Sequence, residues 1–190
     1  MLAMTAVELV AASLGALSVY LMTQQKPAAW PIGLVMVLLY IWIFYDARLY
    51  SEMLLQVVYV VLQIYGWWQW LHGGSKHQGR TISSLNISSI SLGLLIGATI
   101  TLLLGFAMSQ YTNANLPWLD AALTGFSLVG QYWMAQKRLQ CWLLWIVVDI
   151  IYVGMFIAAE LYLTAILYAA FTALAVYGWR EWRSNLVQAA

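Results

Sequence analysis

The sequence predicts an all-α membrane protein of seven transmembrane helices, set out as two parallel three-helix repeats joined by a linker helix, a 3+1+3 plan. Three observations carry this: the apolar segments, the placement of the basic residues and an internal repeat. The chain of 190 residues is 64% hydrophobic and only 8% charged, with a mean hydropathy of +0.80. A soluble domain would carry roughly a quarter charged residues. Segments near 5–23, 30–46, 52–72, 88–109, 117–136, 140–158 and 161–180 are each long enough, at about 1.5 Å per residue, to cross about 30 Å of hydrocarbon. Glu8 and the lack of a basic leader make the first a resident span rather than a signal peptide. The gaps at Asp46–Ser51 and Ala159–Glu160 are tight enough to require antiparallel hairpins, whereas His72–Ser89 is the one long hydrophilic connection.

Orientation follows from charge. Lys26, Lys76, Arg80, Lys137, Arg138, Arg180 and Arg183 fall on one side and Arg48 alone on the other. Basic loops stay in the cytoplasm, so the N-terminus is expected in the periplasm and the C-terminus in the cytoplasm.

The repeat appears when residues 5–70 are laid over 117–182 at an offset of 112 with no gap. Tyr20/Tyr132, Met22/Met134, Gln24/Gln136, Trp30/Trp142, Tyr40/Tyr152, Tyr65/Tyr177, Gly66/Gly178, Trp67/Trp179 and Trp70/Trp182 then coincide, and Lys26/Arg138 and Glu8/Asp120 agree in charge. The expected organisation is a first repeat over 1–72, a cytoplasmic loop and linker helix over 73–112, a second repeat over 113–182 and a tail over 183–190. Parallel repeats of this kind are a recognised transporter architecture, with the substrate held near the midplane. The stretches "LQIYGWWQW" (62–70) and "LAVYGWREW" (174–182) end the third and seventh spans, and Trp67, Trp70, Trp179 and Trp182 are expected there as headgroup-level anchors.

Polar residues at bilayer depth are costly and mark candidate sites. Asp149 lies halfway along the sixth span, and Trp142, Trp145, Asp149 and Tyr152 share one helical face. A carboxylate among rings suits a flat organic cation; a hydrogen bond to a neighbouring helix is the structural alternative. Gln56, Tyr59 and Gln63 share a face of the third span, and Gln131 lies in the fifth. Their amides fit ligand hydroxyls or amides, and equally well a helix–helix bond. Glu52 and Asp120 lie near span ends, where solvation or capping accounts for them. There is no phosphate-binding loop, dinucleotide turn or zinc-ligand spacing, and one cysteine, Cys141, excludes internal disulfides. No catalytic residue, cofactor, metal or nucleic-acid partner is expected. A membrane enzyme built on Asp149 would lack its second acid or nucleophile.

The stretches "WPIGLVMVLLYIWIFYDARLYSEMLLQVVYVVLQIYGWWQW" and "CWLLWIVVDIIYVGMFIAAELYLTAILYAAFTALAVYGWREW" resemble the PnuC family of nicotinamide riboside transporters through nearly the whole chain. The resemblance implies a multi-pass protein of the bacterial inner membrane with a 3+1+3, SWEET-like plan, forming homotrimers. It implies facilitated diffusion of an unphosphorylated vitamin, which a cytoplasmic kinase then traps without stable binding to the carrier. The family's W-x-x-W-x-x-x-N pattern falls on Trp142, Trp145 and Asp149, with Asp in place of Asn. Its W-P-x-G-x-x-N pattern falls on Trp30, Pro31 and Gly33, with Met36 in place of Asn. Taken with the polar and aromatic residues read above, the candidate substrate-binding set is Asp149, Trp145, Trp142, Tyr152, Gln56, Gln63, Tyr59, Gln131, Trp30, Tyr40 and Met36. Nicotinamide riboside is the first candidate and thiamine, also a flat aromatic cation, the alternative; a non-transporting sensor or an enzyme are the readings from other classes.

Overall fold

Every long apolar run becomes a helix. The computed structural model describes residues 6–46, 50–74, 77–112, 116–158, 160 and 162–188, apart from the side chains of Phe44, Tyr50, Ser51, Glu52, Leu54 and Leu163. Arg48 and Lys76, counted above for orientation, Ala159 of the tight hairpin and the side chain of Glu52 thus lie outside the described residues. The helices are α1 (Ala6–Thr23), α2 (Ala29–Asp46), α3 (Tyr50–His72), α4 (Ile87–Tyr111), α5 (Pro117–Ala135), α6 (Gln140–Ala158) and α7 (Tyr162–Gln188). By length and composition alone, α1, α4 and α6 are apolar enough to cross a membrane.

Local chemistry sets the helix ends. Asn86 caps α4, its side-chain oxygen accepting from the Ser89 amide at 2.8 Å. Pro117 opens α5 where its missing N–H costs nothing, and Asp120 sits in the first turn, favoured by the helix dipole. Helix α7 does not stop where its apolar run stops near residue 180. It continues to Gln188, because backbone hydrogen bonds do not depend on hydropathy, and the Arg183 guanidinium lies 5.1 Å over the Trp179 ring.

The chain divides into two compact units, Met1–Thr81 and Ile82–Ala190. In the first, α2 packs on α1 and on α3; in the second, α5 packs on α4 and α6, and α6 on α7. The turns α1–α2 and α5–α6 match bond for bond at the 112-residue offset. Gln25 donates to Met22 O and Lys137 to Met134 O, both at 3.0 Å; Lys26 donates to Leu21 O and Arg138 to Trp133 O, both at 2.9 Å; Ala29 donates to Lys26 O and Cys141 to Arg138 O, both at 3.0 Å. Gln25 and Lys137 both adopt left-handed backbone, with φ of 55° and 50°. Burial holds the Lys137 ammonium pKa down to about 8.

The long hydrophilic connection is anchored at both ends. Arg80 donates from its backbone N to Gln69 O at 3.3 Å and from Nε to Gln69 Oε1 at 2.7 Å, fastening the loop to the end of α3. Beyond the unit boundary, Ser83 exchanges backbone bonds with Lys137 O (3.0 Å) and Leu139 N (2.9 Å). Arg138 Nη1 donates to Ser83 Oγ at 2.8 Å, and Gln140 Oε1 accepts from the Leu85 amide at 2.9 Å.

Tryptophans and glycines lock the helix pairs. The Trp30 ring lies against Gly66 so closely that a Cβ there would overlap it; Trp142 lies on Gly178 in the same way, 2.7 Å from the corresponding position. Trp70 closes on Trp30 edge-to-face at 5.4 Å, and Trp182 on Trp142 at 5.3 Å. This corrects the sequence-based expectation for two of the four terminal tryptophans. Trp70 is 3% exposed and Trp182 fully buried, so both are core residues, whereas Trp67 remains exposed at 38%.

Gly66→Ala should therefore lower the melting temperature of the detergent-solubilised protein by several degrees, an overpacking cost of about 1–3 kcal/mol. Gly154→Ala, with nothing within 4 Å of the new methyl, should not lower it and gains from alanine's higher helix propensity. Equal melting temperatures for the two variants would mean that the Trp30 contact does not stabilise the fold.

Candidate functional site

The α6 face predicted from spacing is present, and its four residues divide into two roles. Trp142 is 1% exposed, enclosed by Gly178 and Trp182, so its ring serves helix packing. One turn on, Trp145 is half-buried, and its indole lies 3.3–3.6 Å from where a Cβ on Gly130 of α5 would stand. Asp149 follows a further turn along and is 5% exposed. Among the described residues, no hydrogen bond or ion pair reaches its carboxylate.

Tyr152 ends the face. Its ring stacks on Phe156 at 5.8 Å and meets Tyr168 of α7 at 4.6 Å; Tyr168 in turn meets Phe156 at 5.1 Å and Phe171 at 5.7 Å. An unpaired acid is thus flanked along its helix by an indole on one side and a four-ring cluster on the other. Gln131 of α5 is 7% exposed and follows Gly130 directly; its amide has no partner among the described residues.

The remaining candidates belong to the first unit. Trp30 is fully buried and, like Trp142, plugs a helix pair; the indole N–H groups of both lack a hydrogen-bond partner. Gln63 is 5% exposed, its Oε1 buried without a partner, and its amide rests against Gly33 of α2. Gln56, Tyr59, Tyr40 and Met36 are half-buried along α3 and α2. Val37 stands 112 residues before Asp149 and is 1% exposed, so the acid has an apolar counterpart.

Tyr168 and Phe171 escaped the sequence reading, although a signal existed. They lie 112 residues after Gln56 and Tyr59, so the repeat marks them as the second unit's counterparts of two candidates. Ser18, whose Oγ also lies against Gly33, gave no such signal, since a serine in an apolar helix is unremarkable in isolation.

Comparison with known proteins identifies the family. The family model described as nicotinamide mononucleotide transporter matches residues 5–184. The nicotinamide riboside transporter PnuC of Escherichia coli is 26% identical over 93% of this chain and 84% of its own. The Neisseria mucosa PnuC is 29% identical over 91% of this chain and 70% of its own. The riboflavin/roseoflavin transporter RibM of Streptomyces davaonensis is 25% identical over 89% of this chain and 80% of its own. A solved structure, the crystal structure of the vitamin B3 transporter PnuC, superposes with a TM-score of 0.76 at 25% identity, covering 95% of this chain and 82% of the other. The chain belongs to the nicotinamide mononucleotide transporter family, and is a PnuC-type membrane transporter and not an enzyme.

Proposed function

We propose that this protein carries an unphosphorylated, positively charged vitamin across the bacterial inner membrane by facilitated diffusion, with nicotinamide riboside as the first substrate. The observation that carries the reading is Asp149: a carboxylate 5% exposed, within an apolar helix, with no partner among the described residues. A charge so placed is costly unless something pairs with it. A pyridinium supplies the charge, and Trp145 and Tyr152, a turn to either side, supply ring faces for it. Gln131 adds an amide for a ligand hydroxyl or carboxamide. Trp142 and Trp30 contribute by fixing the helices that bear the other groups.

Of the three relatives described above, two are named for nicotinamide riboside and one for riboflavin and roseoflavin. Riboflavin is uncharged and would leave the carboxylate unpaired, so Asp149 favours the cation. Thiamine, also a cation, is the alternative on the same ground. A non-transporting sensor or an enzyme has no comparable support.

We read α1–α3 and α5–α7 as parallel repeats with α4 as the linker, supported by the matching turns and the paired Trp–Gly contacts. The seven helices are then seven spans, and the basic residues place the N-terminus in the periplasm and the C-terminus in the cytoplasm. A homotrimer and trapping of the product by a cytoplasmic kinase complete the proposal.

Reporters fused at the two ends test the topology: cytoplasmic after Ala190, periplasmic at Met1. Both ends on one side would rule out seven spans. Transport is tested in proteoliposomes, where nicotinamide riboside should enter without ATP and stop at equal concentrations; accumulation driven by a pH gradient would replace the uniporter by a proton-coupled carrier.

Asp149→Asn keeps shape and hydrogen-bonding capacity but removes charge. A charge-assisted contact is worth about 1.5–3 kcal/mol against about 1 for a neutral one, so calorimetry should show several-fold weaker binding. Trp145→Ala should cost about as much, by the loss of a cation–π contact. The double variant should lose less than the two losses combined, since both groups touch one ligand. Unchanged affinity in a folded Asp149→Asn protein would return this acid to a structural role.

A further inference from the structure

Helices α4 and α5 hold between them a groove of about 510 Å³ whose walls belong entirely to the second unit. Its floor is Gly93 of α4 with the Trp133 indole of α5 laid on it, so close that a Cβ on the glycine would overlap the ring. Leu92, Ile96 and Ile100 line one side and Leu128 and Val129 the other. Leu92 and Ile96 are 58% and 47% exposed, so the groove opens on the outer face of the helix pair.

The lining changes character at one end, where Ser89, Gln136 and Arg138 take over from the aliphatic side chains. Arg138 is half-buried. One nitrogen of its guanidinium, Nη1, donates to Ser83 Oγ at 2.8 Å, and among the described residues no carboxylate pairs with it. A guanidinium has five donors in a planar fork, so most of that capacity is available to an anion. The N-terminus of α4 stands at the same end. Asn86 satisfies the Ser89 amide, but the amides of Ile87 and Ser88 have no acceptor among the described residues, and the helix dipole adds partial positive charge there.

The length of the groove says what it fits. Along α4 it runs from Ser89 to Ile100, a rise of about 16 Å, or roughly half of the hydrocarbon core. A further transmembrane helix would call for a seat that crosses the whole bilayer. An apolar channel one leaflet deep, with cationic groups at its headgroup end, has the dimensions and polarity of a phospholipid. The cationic end is also the end that the orientation above makes cytoplasmic, where basic pockets between helices take anionic headgroups.

We propose that this groove seats one anionic phospholipid, with an acyl chain along Leu92, Ile96 and Ile100 and the phosphate held by Arg138 and the first amides of α4. The proposal needs only that the chain spans a bilayer. It does not depend on which vitamin is carried. Because Arg138 also holds Ser83, a bound phosphate would brace the segment that ties the hydrophilic connection to the α5–α6 turn.

Native mass spectrometry of the purified protein, titrated with phosphatidylglycerol and with zwitterionic phosphatidylcholine of the same chains, provides the test. Wild type should bind phosphatidylglycerol about five-fold more tightly, the effect of roughly one basic residue on an anionic lipid. Arg138→Gln should bring phosphatidylglycerol down to the level of phosphatidylcholine, and Arg138→Lys should restore most of the difference. Ile96→Trp fills the groove from an exposed position and should weaken both lipids several-fold. It leaves the Arg138–Ser83 bond in place, so it tests the groove even where loss of the arginine unfolds the turn. Inorganic phosphate, which has the charge without the chain, should not displace the lipid. Equal affinity of wild type for the two lipids, or an unaltered preference in folded Arg138→Gln, would overturn the proposal. So would an Ile96→Trp protein that changes its oligomeric state while its lipid binding stays intact, since the groove would then be a contact between copies of the chain. No vitamin enters these measurements, so they stand or fall apart from the transport reading.

Discussion

A tryptophan seated on a glycine of the next helix is the contact on which the rest of this structure depends. Lipid tails are as apolar as leucine, so in a bilayer the burial of apolar surface does not drive helices together, and close van der Waals packing has to do it. Trp30 on Gly66 and Trp142 on Gly178 supply that packing, and Trp70 and Trp182 close over the outer edges. Removing the Cβ lets an indole approach the backbone itself, which brings many atom pairs into contact at once. Because Trp142 fixes α6 against α7, the residues that follow it on the same face are held in register. Trp145, Asp149 and Tyr152 inherit their positions from a ring that itself has no free face.

Most of the helical layout was legible in the sequence. Hydropathy placed six of the seven helices to within a few residues, and Pro117 with Asp120 marked the start of α5. What hydropathy could not give was the end of α7, because Arg180, Glu181 and Arg183 end an apolar run without ending a helix. The Trp-rich endings misled for a related reason. A tryptophan near a helix end is equally suited to headgroups and to a neighbouring glycine, and only the partner helix decides between them. Trp67 and Trp70 stand three residues apart, one exposed and one buried, though their sequence surroundings are much alike. The hydrophilic connection after α3 likewise reads as a linker by composition. Its backbone pairing with Gln69 on one side and with Lys137 and Leu139 on the other is long-range and leaves no local mark.

The candidate site was partly legible. The spacing of Trp142, Trp145, Asp149 and Tyr152 gave the face, and the structure showed that Trp142 and Asp149 are buried while Trp145 and Tyr152 are half-buried. The partners of that face on other helices, Tyr168 and Phe171 on α7 and Gly130 on α5, required three dimensions. A helical period specifies which residues share a side. It does not say what stands opposite.

The two units agree where backbone geometry is at stake and differ at several polar positions. The left-handed Gln25 and Lys137 occupy equivalent turns although their side chains differ, and the Trp–Gly contacts recur intact. Four polar positions on α3 and α6 do not recur, although Gln24/Gln136 and Tyr40/Tyr152 do. Asp149 answers to Val37, Gln63 to Ala175, Gln56 to Tyr168 and Tyr59 to Phe171. Each buried polar group carries a desolvation cost, so two units that share a packing scheme have no packing reason to repeat it in both.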